Sequence, residues 1–344
     1  EATPNIANTV CLLSSQKNKY LGIMITVSHN DHTFNGVKII DSNGQLLSLN
    51  DEQFCIENVN SSLQLELESR NSKIVIGHDT YPSSLIIQKL LISSINSLDS
   101  TCVIDDIGLC TTSQVHFQVF KNNNYVKNDY YEYYFNSLNS LTYLPFKVFV
   151  DCAYGVGKIP MFQMLTWKQL DNIRLINTNT ANPKLLNHLC GSDYVCGQKK
   201  LPFSYQKNVK KDLYASLDGH ADRVIFYFQD NDKMCLLDGD RIMSLIVYYL
   251  ESIIPIREFN IGVVHTAYSN GNFLRHLKEK NITTECVSTG VKHLHVTACK
   301  YDIGIYFETN GHGTILFNNH ESGLYPKLDN LKNSFRYINL DYKR

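Results

Sequence analysis

An α/β fold of consecutive strand–helix units, with mixed or parallel sheets, is what this sequence predicts. Three observations carry the prediction. Short apolar runs alternate with segments of helical period along most of the chain. At 344 residues the chain is too long for one ordinary core, which points to two or three domains. Hydrophobic residues make up 43% and charged residues 19%, a globular composition that excludes disorder, collagen and coiled coil.

The elements follow in order. Gly22 to Val27 reads as a buried strand running into the polar turn Ser28 to Asp31, and Val37 to Asp41 and Lys73 to Ile76 read as further strands. Ser83 to Leu98 has apolar residues at helical spacing behind a Pro-Ser-Ser start, which predicts a helix with an N-cap. Cys102 to Ile107 is a strand, and the Asn-rich stretch Asn122 to Asn128 marks a linker edge. A second unit starts near Tyr130, with strands at Lys147 to Asp151, Leu213 to Leu217 and Val224 to Phe228, and with Gly155-Val156-Gly157 turning into a helix. The third unit alternates helices (Gly239 to Ser252, Asn272 to Lys280, His293 to Lys300) with strands (Ile261 to His265, Cys286 to Thr289, Ile303 to Phe307). The expected division is 1–129, 130–233 and 234–317, followed by an unpatterned tail over 318–344.

Composition limits the function classes. Lys and Arg total 32 against 33 Asp and Glu, a balance that gives no support to a chain-wide polyanion-binding surface, and no nucleic-acid partner is expected. The most apolar stretch, Ile242 to Ile256, is broken by Glu251 and Pro255 and falls short of the roughly 20 residues a membrane span needs, so no membrane partner is expected. The ten cysteines form no C-x-x-C pair, which favours reduced thiols and a cytosolic setting over zinc or disulfides. A basic n-region with an apolar h-region is missing at the start, and the first residue is Glu1, which reads as a fragment or a processed chain.

Four segments hold residues able to do chemistry. Ser28 closes a buried strand on a tight polar turn, where a hydroxyl can act as nucleophile or phosphate carrier, or simply bond its own backbone. Asp218-Gly219-His220-Ala221-Asp222-Arg223 alternates ligand-type side chains across a Gly-containing loop. Its carboxylates suit Mg²⁺ and its imidazole suits softer ions, while a solvated β-turn explains the same residues. Glu308-Thr309-Asn310-Gly311-His312 follows a strand and offers a carboxylate and an amide to sugar hydroxyls, or forms a hairpin turn; both hold together. Lys292, His293 and His295 follow Gly290 at a helix start, where a phosphate or plain solvent would be met.

In this order, the segments resemble the α-phosphohexomutase family. The resemblance rests on GIMITVSHN, NGVKIID, KIVIGHDTYPSS, GLCTTSQVHF, VFVDCAYGVG, LNHLCGSDYV, SLDGHADR, LLDGDRIMSLI, IGVVHTAYSNG, STGVKHLH and IYFETNGHGTILF, from about Leu21 to Phe317. LNHLCGSDYV and TGVKHLH are specific to its acetylglucosamine branch. The resemblance implies three consecutive α/β domains with mixed sheets around a central cleft, the family's fourth domain being absent from these residues. It implies an isomerase that exchanges N-acetylglucosamine 6-phosphate and 1-phosphate, on the way to UDP-N-acetylglucosamine, with sugar phosphates and bisphosphates as its small-molecule partners. Ser28 would be the phosphoserine, with His29 and Lys38 as further catalytic residues. Mg²⁺ would be held by Asp218, His220, Asp222 and the Ser28 phosphate. Glu308, Thr309, Asn310, Arg223, Lys292 and His293 would bind substrate.

The sequence departs from the family in named places. The metal loop of the family reads Asp-Gly-Asp-Ala-Asp-Arg, and here the middle Asp is His220, so weakened Mg²⁺ binding is expected. Asp31 stands where the family has Pro. Gly-Arg-Asp-Thr-Arg-Pro becomes Gly77-His78-Asp79-Thr80-Tyr81-Pro82, with two cations lost. Neither an Arg-x-Ser-Gly-Thr-type phosphate loop nor a Gly-Thr-Ala-Gly-Phe-Arg-like segment occurs in these residues, so turnover is expected to be poor. These departures leave a degenerate, catalytically impaired sugar-phosphate-binding relative, or a fragment, as the alternative.

Overall fold

The computed structural model describes residues 2–26, 35–60, 70–137, 146–168, 170–205, 212–231, 233–318 and 323–329. Ser28, His29 and Asp31 lie outside the described residues.

Strands β1 (Tyr20–Thr26), β2 (Gly36–Ile40), β3 (Lys73–His78) and β4 (Val103–Leu109) form the first sheet in the order β2-β1-β3-β4. β1, β3 and β4 run parallel, and β2 is an antiparallel edge with Gly36 opposite Thr26. Helices α1 (Thr3–Lys17), α2 (Leu49–Asn60) and α3 (Pro82–Leu98) bury Val10, Cys55, Leu91 and Ile95 on one face, against Ile23, Ile25, Ile74 and Ile76. Helix α4 (Thr112–Asn124) covers the other face, placing Val115 and Val119 against Met24 and Val75. Strand side chains alternate between faces, so a strand covered on both sides must be apolar throughout, as β1 is.

Two local expectations are corrected. α3 has Pro82 in its first turn but no side-chain N-cap; Ser84 Oγ instead donates to Asp79 Oδ1 at 2.5 Å. The Asn-rich stretch begins inside a helix, and only its second half, after Asn124, lies outside one. α4 opens with a Thr111/Gln114 capping box and runs to Asn124, while Asn123 Nδ2 donates to the carbonyls of Tyr20 and Ser42 and pins the helix to the sheet.

The second unit holds α5 (Tyr130–Ser137), β5 (Val148–Asp151), α6 (Lys158–Lys168), β6 (Ile173–Ile176), α7 (Ser192–Gln198), β7 (Leu213–Leu217), β8 (Val224–Asp230) and β9 (Lys233–Leu237). Its sheet runs β6-β5-β7-β8-β9, parallel through β7 and antiparallel beyond. Because β9 pairs with β8, this sheet extends to Leu237, past the division expected at 233.

The third unit comprises α8 (Gly239–Ile253), β10 (Ile261–Thr266), α9 (Gly271–Glu279), β11 (Thr283–Val287), α10 (Val291–Ala298), β12 (Ile303–Phe307) and β13 (Gly313–Phe317). Its sheet order is β11-β10-β12-β13, with only β13 antiparallel. α8 and α9 bury one face, and Leu294 and Ala298 of α10 cover the other. Leu328 is fully buried in the α8/α9 core and Tyr325 packs beside it, so part of the segment expected to be a coreless tail completes the third core. Among the described residues no helix is long and apolar enough to cross a membrane.

Candidate active site

All three units place a chain segment at the carboxyl end of a parallel strand, the end at which open α/β sheets bind ligands. β1 ends at Thr26, β7 leads into Asp218, and β12 leads into Glu308. Lys38 of β2, Asp222, Arg223, Lys292, His293 and Glu308 line one cleft of about 840 Å³ shared by the three units.

Local contacts fold the loop that follows β7. Asp218 Oδ1 accepts the amide of Asp222, the Asp218 carbonyl accepts the amide of Ala221, and Ala221 takes a left-handed φ of 60°. The Gly155-Val156-Gly157 turn braces this loop from below. Val156 N–H donates to the Gly219 carbonyl, and a Cβ at Gly155 would sit 2.3 Å from that oxygen. Neighbouring units hold it from the sides. The Thr112 amide donates to the His220 carbonyl, and Lys38 Nζ donates to Asp222 Oδ2 at 2.7 Å.

His220 stands at the centre and is fully buried. Its Nδ1 lies 2.9 Å from Asp218 Oδ2, and its Nε2 lies 2.6 Å from Asp222 Oδ2 and 2.9 Å from Lys38 Nζ. Burial alone would lower its pKa, but the charges of Asp218 and Asp222 outweigh burial and raise it to about 9. Asp222 shows the reverse balance. Burial pushes its carboxyl up, and the charges of His220 and Lys38 hold it well below the usual range. Asp218 Oδ2, His220 Nδ1 and Asp222 Oδ1 are buried without a hydrogen bond among the described residues, and one donor atom from each residue lies within 4.8 Å of the others. Two carboxylates and an imidazole with buried, unsatisfied donors fit a divalent cation.

The loop after β12 is fixed differently. Glu308 N–H donates to the His312 carbonyl, and Asn310 Oδ1 accepts the His312 amide, closing the hairpin between β12 and β13. Gly311 has a φ of 86° and its Cα faces the Val224 carbonyl so closely that a Cβ would lie 1.9 Å from that oxygen. Cys196 Sγ donates to the Thr309 carbonyl at 3.2 Å, tying the loop to α7.

The described residues thus bring Lys38, Asp218, His220, Asp222 and Arg223 into one ion-paired cluster, with Glu308, Lys292 and His293 on the same cleft. Thr309 is exposed, and the Asn310 side chain is engaged by its own loop. Sequence reasoning missed four residues here. Asp193 holds Arg223 with both carboxylate oxygens, at 2.9 and 3.0 Å. Glu52 of α2 pairs with Lys292 across the cleft at 2.5 Å. His116 and His312 line the wall, and burial holds His116 down at about 4. No spacing in the sequence links Glu52 to Lys292, 240 residues on; Asp193 at least stands within a motif stretch.

Three stretches of the chain match models of known families. Residues 238–336 match a family model of phosphoacetylglucosamine mutase AMG1, domain III, and residues 122–225 match that of its domain II. Residues 6–66 match phosphoglucomutase/phosphomannomutase, alpha/beta/alpha domain I. The chain is 37% identical over 333 residues to phosphoacetylglucosamine mutase 1 of Schizosaccharomyces pombe, covering 88% of this chain and 64% of that protein. It therefore spans less than two thirds of that relative's length. A crystal structure of Aspergillus fumigatus N-acetylphosphoglucosamine mutase with GlcNAc-6P and magnesium superposes with a TM-score of 0.83 at 29% identity, over 98% of this chain and 70% of that one. An N-acetylglucosamine-phosphate mutase in a product complex gives the same TM-score of 0.83 at 31% identity, again over 98% and 70%.

Proposed function

The chain belongs to the phosphoacetylglucosamine mutase family, and from that membership we propose that it interconverts N-acetylglucosamine 6-phosphate and N-acetylglucosamine 1-phosphate through a phosphoserine at Ser28. The observation that carries this reading is the meeting of Lys38 with Asp222 and His220. β1 and β2 are paired from Thr26 and Gly36, the residues that flank the Ser28 segment, and Lys38 follows two residues after Gly36 onto the acidic loop of the second unit.

The chemistry is two phosphoryl transfers in opposite directions. In the first, the bond from phosphorus to the Ser28 oxygen breaks and a bond from phosphorus to a sugar hydroxyl oxygen forms. The hydroxyl gives up its proton, and the Ser28 oxygen gains one. The bisphosphate then turns end for end in the cleft, and its other phosphate returns to Ser28. Such transfer depends on positioning and charge neutralisation more than on covalent assistance. Lys38, with His29, is assigned the proton traffic and part of the charge balance. Asp218, His220 and Asp222 would hold the divalent cation, the position magnesium serves in the family, and when bound it neutralises charge on the phosphoryl oxygens. Glu308, Thr309 and Asn310 would grip sugar hydroxyls, and Arg223, Lys292 and His293 would meet phosphate. Arg223 is suited to this because one guanidinium nitrogen is anchored on both oxygens of Asp193, which holds the charged head at the cleft. The ten cysteines, all free, support a reducing, cytosolic setting.

Intact-mass analysis after incubation with glucose 1,6-bisphosphate and a divalent cation tests the relay. One added phosphate, lost in Ser28→Ala, is expected. A chain that takes up no phosphate with any divalent cation overturns the proposal.

A further inference from the structure

The donor set of the loop after β7 differs from an all-oxygen cage, and the difference is built into the core of the site. His220 is fully buried, and its two ring edges are not equivalent. The Nε2 edge faces Asp222 Oδ2 at 2.6 Å and Lys38 Nζ at 2.9 Å. The Nδ1 edge faces Asp218 Oδ2 at 2.9 Å, and both of those atoms are buried without a hydrogen bond among the described residues. Two ligands at right angles on an ion about 2.0–2.1 Å away lie roughly 3 Å apart. The Nδ1–Oδ2 separation matches that value, and Asp222 Oδ1, also unsatisfied, belongs to the third residue of the cluster.

We propose that Asp218, His220 (through Nδ1) and Asp222 form a site selective for a borderline divalent transition-metal ion, of the Co²⁺ or Zn²⁺ class, over Mg²⁺. Imidazole is a good ligand for those ions. Mg²⁺ prefers oxygen and parts with its water reluctantly. With Nδ1 on the metal, the ring proton sits on Nε2 and faces Asp222 Oδ2, the arrangement in which a carboxylate orients a ligating imidazole. Three protein ligands leave coordination open for a phosphate oxygen.

This inference rests on the mutase reading only for the identity of the loop as the metal loop, and its test involves no turnover. The purified full chain, in reducing buffer, is titrated with Mg²⁺, Co²⁺ and Zn²⁺ by calorimetry, and Co²⁺ binding is also followed by its visible absorption. Co²⁺ and Zn²⁺ are expected to bind at least about 100-fold more tightly than Mg²⁺. The Co²⁺ spectrum should show d–d bands without the intense near-ultraviolet band of thiolate ligation, which excludes the cysteines. In His220→Asp the preference should fall at least tenfold and the bands should move. Because His220 is fully buried and its replacement risks misfolding, the wild-type ratio decides by itself. Mg²⁺ binding as tight as Co²⁺, a thiolate spectrum, or no divalent binding at all would overturn the inference. Phosphate uptake at Ser28 is scored separately. Uptake without the metal preference sinks only this inference, and the preference without uptake sinks only the mutase reading.

Discussion

The loop after β7 and the loop after β12 face the same cleft and are held by opposite means. In the first, charged side chains add to the backbone bracing: Asp218, His220, Asp222 and Lys38 form a chain of contacts between 2.6 and 2.9 Å. In the second, backbone shape does it, through a hairpin closed by Glu308 and His312 and a glycine pressed on the Val224 carbonyl. The contrast teaches that a substitution should act on one loop through pH and ions, and on the other through sterics alone.

Asp222→Asn should produce the largest effect, because it leaves His220 and Lys38 facing an amide. A loss of about 2–4 kcal/mol in urea unfolding is expected near pH 6. The loss should shrink by pH 10, where His220 is already neutral. An unchanged loss at both pH values would mean the loop is not held by charge. Gly311→Ala comes next, at roughly 2–3 kcal/mol, since the new Cβ meets a carbonyl at a φ that L-residues rarely adopt. That loss should not vary with pH; if it does, the division between the two loops fails.

The histidines sharpen the comparison. His220 has a raised pKa, so its contribution is complete below the unfolded value near 6.5 and is lost as pH rises to about 9. His116 is lowered, so its contribution is complete above 6.5 and is lost as pH falls to about 4. Stability of the metal-free chain should therefore fall on both sides of the neutral range, at up to about 1.4 kcal/mol per pH unit for each group. His220→Gln should remove the alkaline limb, and His116→Gln should shorten the acidic one, which burial of His295 and His312 also feeds, measured by thermal unfolding across pH. The smallest effect belongs to Glu52→Gln. Its pair with Lys292 is partly exposed, and the cost should stay under about 1 kcal/mol.

Much of this architecture is legible in the sequence because burial on both faces forces unbroken apolar runs, as in β1, β3 and β12. β9 and β11 are harder to read. Both are edge strands; β9 is a short apolar run lying against the start of α8, and β11 has polar, exposed residues in place of an apolar run and lies at Thr283–Val287 rather than Cys286 to Thr289. Within the site, Asp218, His220 and Asp222 are readable because one loop carries all three. Their partners Lys38, Asp193 and Glu52 come from elsewhere in the chain, and only folding shows that Lys38 ends at Asp222 rather than in solvent. His220 is the clearest case of a residue whose identity is plain in the sequence and whose consequence is not: the sequence shows an imidazole, while the structure shows it buried between two carboxylates, with Lys38 on its Nε2 edge alone.

The central claim is that the phosphate of Ser28 and the cation of the Asp218–Asp222 loop share one space. Phosphorylated chain loaded with Mn²⁺ and studied by pulsed electron paramagnetic resonance tests it directly. Hyperfine coupling from ³¹P to the bound Mn²⁺, lost in Ser28→Ala, is the predicted result. Mn²⁺ held by the loop of a fully phosphorylated chain without such coupling would contradict it.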